Sequence, residues 1–482
     1  MFNRHSTLYK KLNQRFERKI VSENYQEYST LYQKRLKYFQ EILEEQSQRK
    51  WIDEIKENKT NEQTILLNSI TVLFEEQQNF ENECFVILIG TITIRSNNSL
   101  EILNEYTFGY QNVEEKSYSD LQVDNYYSKE QKYFLEDQES CIELVFERKE
   151  NEDENENENE QNSEHLITGV TLAIKGKIES KRFVVFDYCL PGLPIQKPLS
   201  LKKTKTGTKK LVAMVSGLSI NGDTKETDLK QELLLDYLTG NLGEKRELAF
   251  QAKIVRVIIC GGTLARSGIQ KRINQKSTTF EYRKKNNCLI AENTEKVDLF
   301  LTRLCSSIDV DLMPGAQDPT NLSLPQQRWH RLLIPTACQN KRLNRVTNPY
   351  NCKIENIQFL GSSGECLADT IKYYPTEKIQ NTEQKFNIFQ NTLNYGNISP
   401  SCPDTLPCYP YQKSDPFIIE KCPNVYFSGN HDHFKSGIKK YQNILTGEQS
   451  VLSIFVPNFS KTSQIVLVDL DSLDCSTISF DF

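Results

Sequence analysis

Five times after residue 210 the chain runs through a short apolar, β-branched stretch and halts at a glycine. LVAMV leads into Ser216-Gly217, VRVIIC into Gly261-Gly262, and VDLM into Pro314-Gly315. IQFL runs into Gly361, and NVYF into Ser428-Gly429. Runs this short and this apolar predict strands buried on both faces. The amphipathic stretches ELLLDYLTG and VDLFLTRLCSS between them predict helices covering the sheet, so residues 211–482 are expected to form a layered α/β domain with central sheets. Chemistry in such a domain gathers in the loops leaving the carboxyl ends of the strands.

The first 200 residues follow another pattern. CFVILIGTITI, SCIELVF, GVTLAIKGKI and KRFVVFDYCL are closely spaced strand signals with glycine-punctuated turns and suit a small β-barrel of the OB type over 53–198. Between two of them lies Glu150 to Glu164, acidic and free of apolar residues; the composition cannot offset the entropy of ordering, and a disordered insertion over 148–165 is expected. Before the barrel, Tyr25, Tyr28, Tyr32, Leu36, Phe39 and Leu43 recur at helical spacing in an N-terminal helical segment, 1–52. The basic LSLKKTKTGTKK reads as a linker over 199–210.

With 482 residues the chain has length for two or three domains. A net charge of −5 excludes wholesale polyanion binding, so contact with nucleic acid requires a local basic patch. The thirteen cysteines form no CxxC pair, no apolar leader opens the sequence, and no run approaches a membrane span. A soluble protein with reduced thiols, in the cytosol or nucleus, is the expectation.

The ordered glycine loops resemble the layout of the calcineurin-like phosphoesterases, whose loops read DxH, GD, GNH[DE], a lone His, then GHxH, and hold two metals that activate a water. Set on that layout, the ligand positions are degenerate. Ser216 and Leu218 stand in the DxH slot and Gly262 replaces the bridging carboxylate. Gln317 and Asp318 fill the GNH[DE] slot without an imidazole, and Asn430, His431 and His433 occupy the last loop. The chain has five histidines, of which His330, His431 and His433 fall in this domain. No catalytic residue, metal site or cofactor is therefore expected, although SGNHDHF spells the ligand string GNHD. Cys402, Cys408 and Cys422 lack the close CxxC-type spacing of zinc modules and read as core or loop thiols.

The series VSGLSI, LLLDYLTGNLG, RVIICGG, MPGAQDPTNLSLPQQ, TNPY, FLGSSGE, ISPSCPDTLPCYPY, SDPFIIEKCPNVYFSGN and VPNFS resembles the DNA polymerase delta small-subunit family. The PDTLxCYP run favours it over the corresponding alpha and epsilon B-subunits. The resemblance implies an inactivated phosphoesterase domain joined to an OB fold, acting in the nucleus as a non-catalytic scaffold. It implies as partners the C-terminal domain of the catalytic subunit and a third subunit, with DNA and the sliding clamp reached indirectly and no membrane. Tyr residues of CYPYQ and NVYF are candidate interface anchors or core residues alike. The OB strands show few basic residues interleaved with aromatics, which favours protein contact over tight DNA binding. The alternatives are an active metallophosphoesterase or 3′–5′ exonuclease, and an OB-based single-strand binder.

Overall fold

The computed structural model describes residues 4–18, 27–53, 63–67, 69–75, 84–96, 124–146, 166–179, 181–197, 209–220, 225–265 and 280–480. The acidic run, Tyr25 and linker residues 199–208 lie outside them. No described helix is long and apolar enough to cross a membrane.

The N-terminal segment, expected to be helical, opens instead with a strand, β1 (Tyr9–Lys11), that adds antiparallel to the edge of a distant sheet. Asn13 fixes it there: its Nδ2 donates to Thr347 Oγ1 at 3.0 Å and its Oδ1 accepts from Asn351 N at 2.8 Å. Such a strand leaves no periodicity to read because it is only three residues long. The expected helix follows as α1 (Ser29–Ser47), with Leu31, Leu36, Phe39 and Leu43 buried.

The barrel strands are β2 (Gln63–Leu66), β3 (Cys84–Arg95), β4 (Lys132–Glu136), β5 (Cys141–Phe146), β6 (Thr171–Glu179) and β7 (Arg182–Cys189). The order is β2-β3-β4-β5-β7-β6, and pairing of β3 with β6 closes the sheet on itself. Closure leaves few open edges, the usual solution for a small all-β unit. Helix α1 lies across the outside, where Phe39, Leu43 and Trp51 pack on Ile87, Ala173 and Cys189.

From residue 211 two six-stranded sheets stack face to face. One contains β8 (Leu211–Val215), β9 (Ile254–Cys260), β10 (Asp309–Met313) and β11 (Leu343–Arg345), all parallel. Every residue of β8 and β9 is buried, as the uninterrupted apolar runs require. The other sheet holds β12 (Tyr350–Ile354), β13 (Ile357–Ser362), β14 (Val425–His431), β15 (Lys435–Asn443) and β16 (Gly447–Pro457), with β1 at its edge. Strands β17 (Gln464–Asp469) and β18 (Cys475–Ser479) return antiparallel to complete the first sheet. Two helices, Lys225–Thr239 and Phe280–Cys305, cover its outer face through Leu234, Leu235, Leu238, Val297, Leu301 and Leu304. The helix Thr382–Asn391 covers the second sheet, where Phe389 stacks on Tyr426 with centroids 4.4 Å apart.

A buried cation joins these units. Arg35 of α1 donates from Nε to Asp415 at 2.7 Å, from Nη1 to the carbonyls of Pro400 and Gly169, and from Nη2 to that of Cys402. Both side chains are almost fully enclosed, at 1% and 0% exposure. Removing one partner strands the other charge in the interior. Arg35→Ala should therefore lower unfolding stability by roughly 3–5 kcal/mol. Urea denaturation followed through Trp51, at the α1–barrel joint, and Trp329, in the α/β core, checks this; a midpoint close to the parent at both reporters would contradict it.

Candidate functional site

The five glycine loops do meet. Gly217 N donates to the Gly261 carbonyl at 2.9 Å, and Ser219 N to that of Gly262 at 3.1 Å. Gly261 and Gly262 both take positive φ, 81° and 69°. A Cβ on Gly262 would lie 2.6 Å from Asn430 Oδ1 and 3.0 Å from Gly217 Cα. One on Gly261 would fall 2.6 Å from Ser363 Cβ and 2.9 Å from Gly315 Cα. Backbone therefore packs against backbone at the centre of the cluster, and glycine is the only side chain that fits.

Several of the positions singled out in the sequence act as internal fasteners. Ser216, buried at the end of β8, donates from Oγ to the carbonyls of Val456 and Pro457 and accepts from Asn430 N at 2.8 Å. Leu218 is wholly buried in the core beneath the covering helices. Asp318 accepts three amide hydrogens: Gly262 N at 3.0 Å, Gly315 N at 2.8 Å and Leu264 N at 2.9 Å. Burial pushes its carboxyl up to about 7, while those amides pull it down. Asn430, at φ 61°, donates from Nδ2 to the Ser363 carbonyl at 2.8 Å. Gln317 is exposed at its loop tip and does not join the cluster.

The SGNHDHF string comes apart in space. His431 lies flat on Phe455, centroids 3.7 Å apart, with Nε2 on Ser428 Oγ at 2.8 Å. Burial lowers its pKa to about 3; Asp432 opposes the shift and Lys385 adds to it. His433 and Asp432 face solvent, and Asp432 pairs with Lys461 at 2.8 Å. His330 is likewise exposed, far along the chain in the segment after β10. Cys402, Cys408 and Cys422 are buried free thiols, with Cys402 Sγ 3.2 Å from Ser399 Oγ. Among the described residues no group of three or more His, Cys, Asp or Glu is placed to hold a metal ion.

Several fasteners escaped the sequence reading. Asn348 donates to Gln326 Oε1 at 2.8 Å and Glu365 Oε2 at 3.0 Å, and its Oδ1 accepts from Ser363 N at 3.0 Å. Gln326 and Asn348 sit within LPQQ and TNPY, so the specificity of those two motifs was the signal. On the barrel, Lys175 and Lys177 lie 4.5 and 4.6 Å from the Phe85 ring centroid, with Phe186 edge-on at 5.4 Å and 42% exposed. These residues come from three strands, and the pairings of β3 with β6 and of β6 with β7 bring them together, which sequence spacing does not reveal. The anchor reading of NVYF is also overturned, since Tyr426 and Phe427 are core residues. Tyr409 and Tyr411 pack edge to face at 5.1 Å; Arg18 covers the first, and the second donates to the Phe16 carbonyl.

Residues 212–436 match the family model for the alpha/epsilon B-subunits of DNA polymerase, and residues 27–188 match the DNA polymerase delta subunit OB-fold domain. An α/β body of stacked sheets joined to an OB-fold barrel is thus of the DNA polymerase B-subunit class. The "DNA polymerase delta small subunit" of Oryza sativa subsp. japonica is 35% identical over 317 residues, covering 65% of this chain and 68% of that one. That of Saccharomyces cerevisiae is 28% identical over 485 residues, 94% of this chain and 89% of the relative. The "DNA polymerase delta subunit 2" of Drosophila melanogaster is 29% identical over 483 residues, covering 100% and 99%. The chain belongs to the DNA polymerase delta small-subunit family.

The two shifted groups give the cluster a pH signature. The unfolded chain protonates His431 near the ordinary 6.5, the folded chain only near 3. The stability this ring contributes is complete above pH 6.5 and is lost as the pH falls toward 3. Asp318 works in the opposite sense: its contribution is complete below about 3.8 and is lost as the pH rises through 7. His431→Gln leaves Asp318 in place, so the difference between variant and parent isolates the histidine. The thermal midpoint of the variant should fall less than the parent's between pH 7 and pH 5; parallel curves would show a solvated ring.

Proposed function

We propose that the chain is a non-catalytic scaffold of the DNA polymerase delta complex in the nucleus. In this reading the α/β body is an inactivated calcineurin-like phosphoesterase domain at 211–482, following an N-terminal segment at 1–52, an OB-fold domain at 53–198 and a linker at 199–210. The scaffold binds the C-terminal domain of the catalytic subunit and docks a third subunit, and it reaches DNA and the sliding clamp through them.

The observation that carries the non-catalytic part is the filled interior of the loop cluster. Two hard divalent cations need several carboxylates and imidazoles converging on open space. Of the carboxylates among the loops, Asp318 is spent on three backbone amides and Glu365 on Asn348 and Ser363, and the carboxylate position at Gly262 has no room even for a Cβ. His431 has its Nε2 on Ser428 and its face on Phe455. This donor set does not fit a dimetal centre. A scaffold role suits such a body, because a rigid sheet with closed loops presents its surface without ordering cost on binding.

Co-expression with a B-family polymerase catalytic subunit should yield a stoichiometric complex, and failure of the two to associate when both are present would sink the reading. The purified chain should hydrolyse no phosphodiester with manganese, and His431→Ala should change nothing in that assay. Gly262→Asp, which rewrites the missing carboxylate, should lower the thermal midpoint without restoring hydrolysis. Manganese-dependent cleavage lost in His431→Ala would establish the phosphoesterase instead.

A further inference from the structure

The chain carries three long acid-free stretches, 188–222, 248–280 and 319–354, and the last is the one that lies wholly within the described residues. No Asp or Glu stands between Asp318 and Glu355, whereas Arg328, Arg331, Lys341, Arg342, Arg345 and Lys353 all fall there. Most of this segment wraps from the carboxyl end of β10 to the start of the edge strand β11. Arg328, Arg331, Lys341 and Arg342 are exposed. None of the four has a carboxylate partner among the described residues. The nearest acids are committed elsewhere: Asp298 accepts from Thr336 N and Ala337 N at 3.0 and 2.7 Å, and Asp309 pairs with Arg256 at 3.2 Å.

The segment is also held firmly. Trp329, Ile334 and Ala337 are fully buried in the core under the covering helices. Arg345 reaches back to the Trp329 carbonyl at 2.8 Å, and Asn340 Nδ2 to that of Cys305 at 2.9 Å. Arg342 Nη1 donates to the Ser306 carbonyl. The cations therefore stand on a fixed frame along the sheet edge. At about 3.3 Å per strand residue, β11 separates the Arg342 end from the Arg345 end, beside Trp329, by roughly 10 Å. Duplex DNA carries a phosphate about every 1.7 Å of helix axis with both strands counted, so a span of roughly 10 Å offers enough of them for all four cations. Burial first, and Arg342 second, lower the Arg4 guanidinium to about 10.

We infer that the β11 edge, through Arg328, Arg331, Lys341 and Arg342, binds the phosphate backbone of duplex DNA directly. Guanidinium forks match phosphate geometry. Trp329 is buried, which leaves His330 as the one exposed ring among these cations, a small platform beside the several rings that single-strand binding uses. Leu332 is exposed at 75% beside Arg331, but one leucine does not make the apolar centre of a protein interface. Nor does a three-residue edge strand need four cations to discourage edge pairing. The choice of DNA as the polyanion rests on the polymerase reading above; the cationic edge itself does not.

The test is fluorescence anisotropy of the purified full-length chain with a labelled random-sequence duplex across a potassium chloride series. Four neutralised phosphates should give a log–log salt slope of about −3.6, and Arg328→Gln/Arg331→Gln should reduce its magnitude by about 1.8. Those two side chains donate no hydrogen bond to the described residues, so this variant should keep the parent's thermal midpoint. Adding Lys341→Gln and Arg342→Gln should abolish the remaining slope and weaken low-salt binding at least tenfold. No duplex binding, or binding indifferent to the double variant, overturns the proposal. Loss of a co-purifying subunit from the double variant with its DNA binding intact also overturns it and assigns the edge to an acidic protein surface. Failure of the parent to co-purify with a polymerase would sink the scaffold reading while leaving the salt slope to stand.

Discussion

Arg35 is the point at which three parts of the molecule become one. Its guanidinium reaches the barrel through the Gly169 carbonyl and the α/β body through Asp415, Pro400 and Cys402, from a side chain rooted in α1. Burying such a group is expensive unless every donor is used and the charge is compensated. Here Nε faces a carboxylate, and both terminal nitrogens face carbonyls. The Gly169 backbone comes so close to Pro400 that a Cβ would lie 1.9 Å from its carbonyl oxygen. Barrel and body thus meet through main chain; the arginine supplies donors to three carbonyls and compensates the charge of Asp415, which also accepts from Phe417 N and Asn397 Nδ2. Geometry at the rest of the joint, including Phe39 and Leu43 on the barrel wall, follows from where that cation is seated.

A second cation does the same between the two stacked sheets. Arg256 on β9 donates to Asp311 on β10 at 2.7 Å, and Tyr350 on β12 donates to the other oxygen of that carboxylate at 2.9 Å. Tyr9 on β1 lies under the guanidinium with its ring centroid 4.0 Å away. A three-residue strand would not hold an edge position on backbone bonds alone. The polar contact between the sheets fixes it, and the N-terminus is thereby tied to the α/β body before α1 begins.

The sequence revealed the parts and concealed the joints. The buried parallel strands were legible because an apolar run of five to seven residues ending in glycine has few other uses, and Val212 to Val215 or Val255 to Ile259 could hardly be exposed. The barrel was legible as a set of strands. Its outer chemistry was not, because Phe85, Lys175 and Phe186 are brought together by pairing over some hundred residues. The same limit applied to Arg35: in a helix rich in Lys, Arg, Glu and Gln it reads as one more solvated charge, and only Asp415 makes it a core residue. At the loop cluster, residue identities showed which loop positions lack carboxylates and imidazoles. What fills the space between the loops was beyond them, since Asn348 and Gln326 act through partners remote in sequence.

That filling bears on why the cluster needs its glycines. The loop amides require acceptors, and an unpaired buried amide costs about as much as a lost hydrogen bond. Asp318 supplies acceptors to three of those amides, Ser216 and Asn348 each supply another, and Asn430 satisfies a carbonyl. Each of these bonds works only if the loop backbones approach within contact distance, and Gly261, Gly262, Gly315, Gly364 and Gly429 permit that approach. The glycines are therefore required by packing, whatever chemistry the loops perform. A glycine loop series is thus evidence for a fold, and the side chains projecting between the glycines must carry any argument about activity. In SGNHDHF those side chains are Asn430, which serves as a fastener, His431, stacked on Phe455, and Asp432 and His433, which face outward away from the cluster.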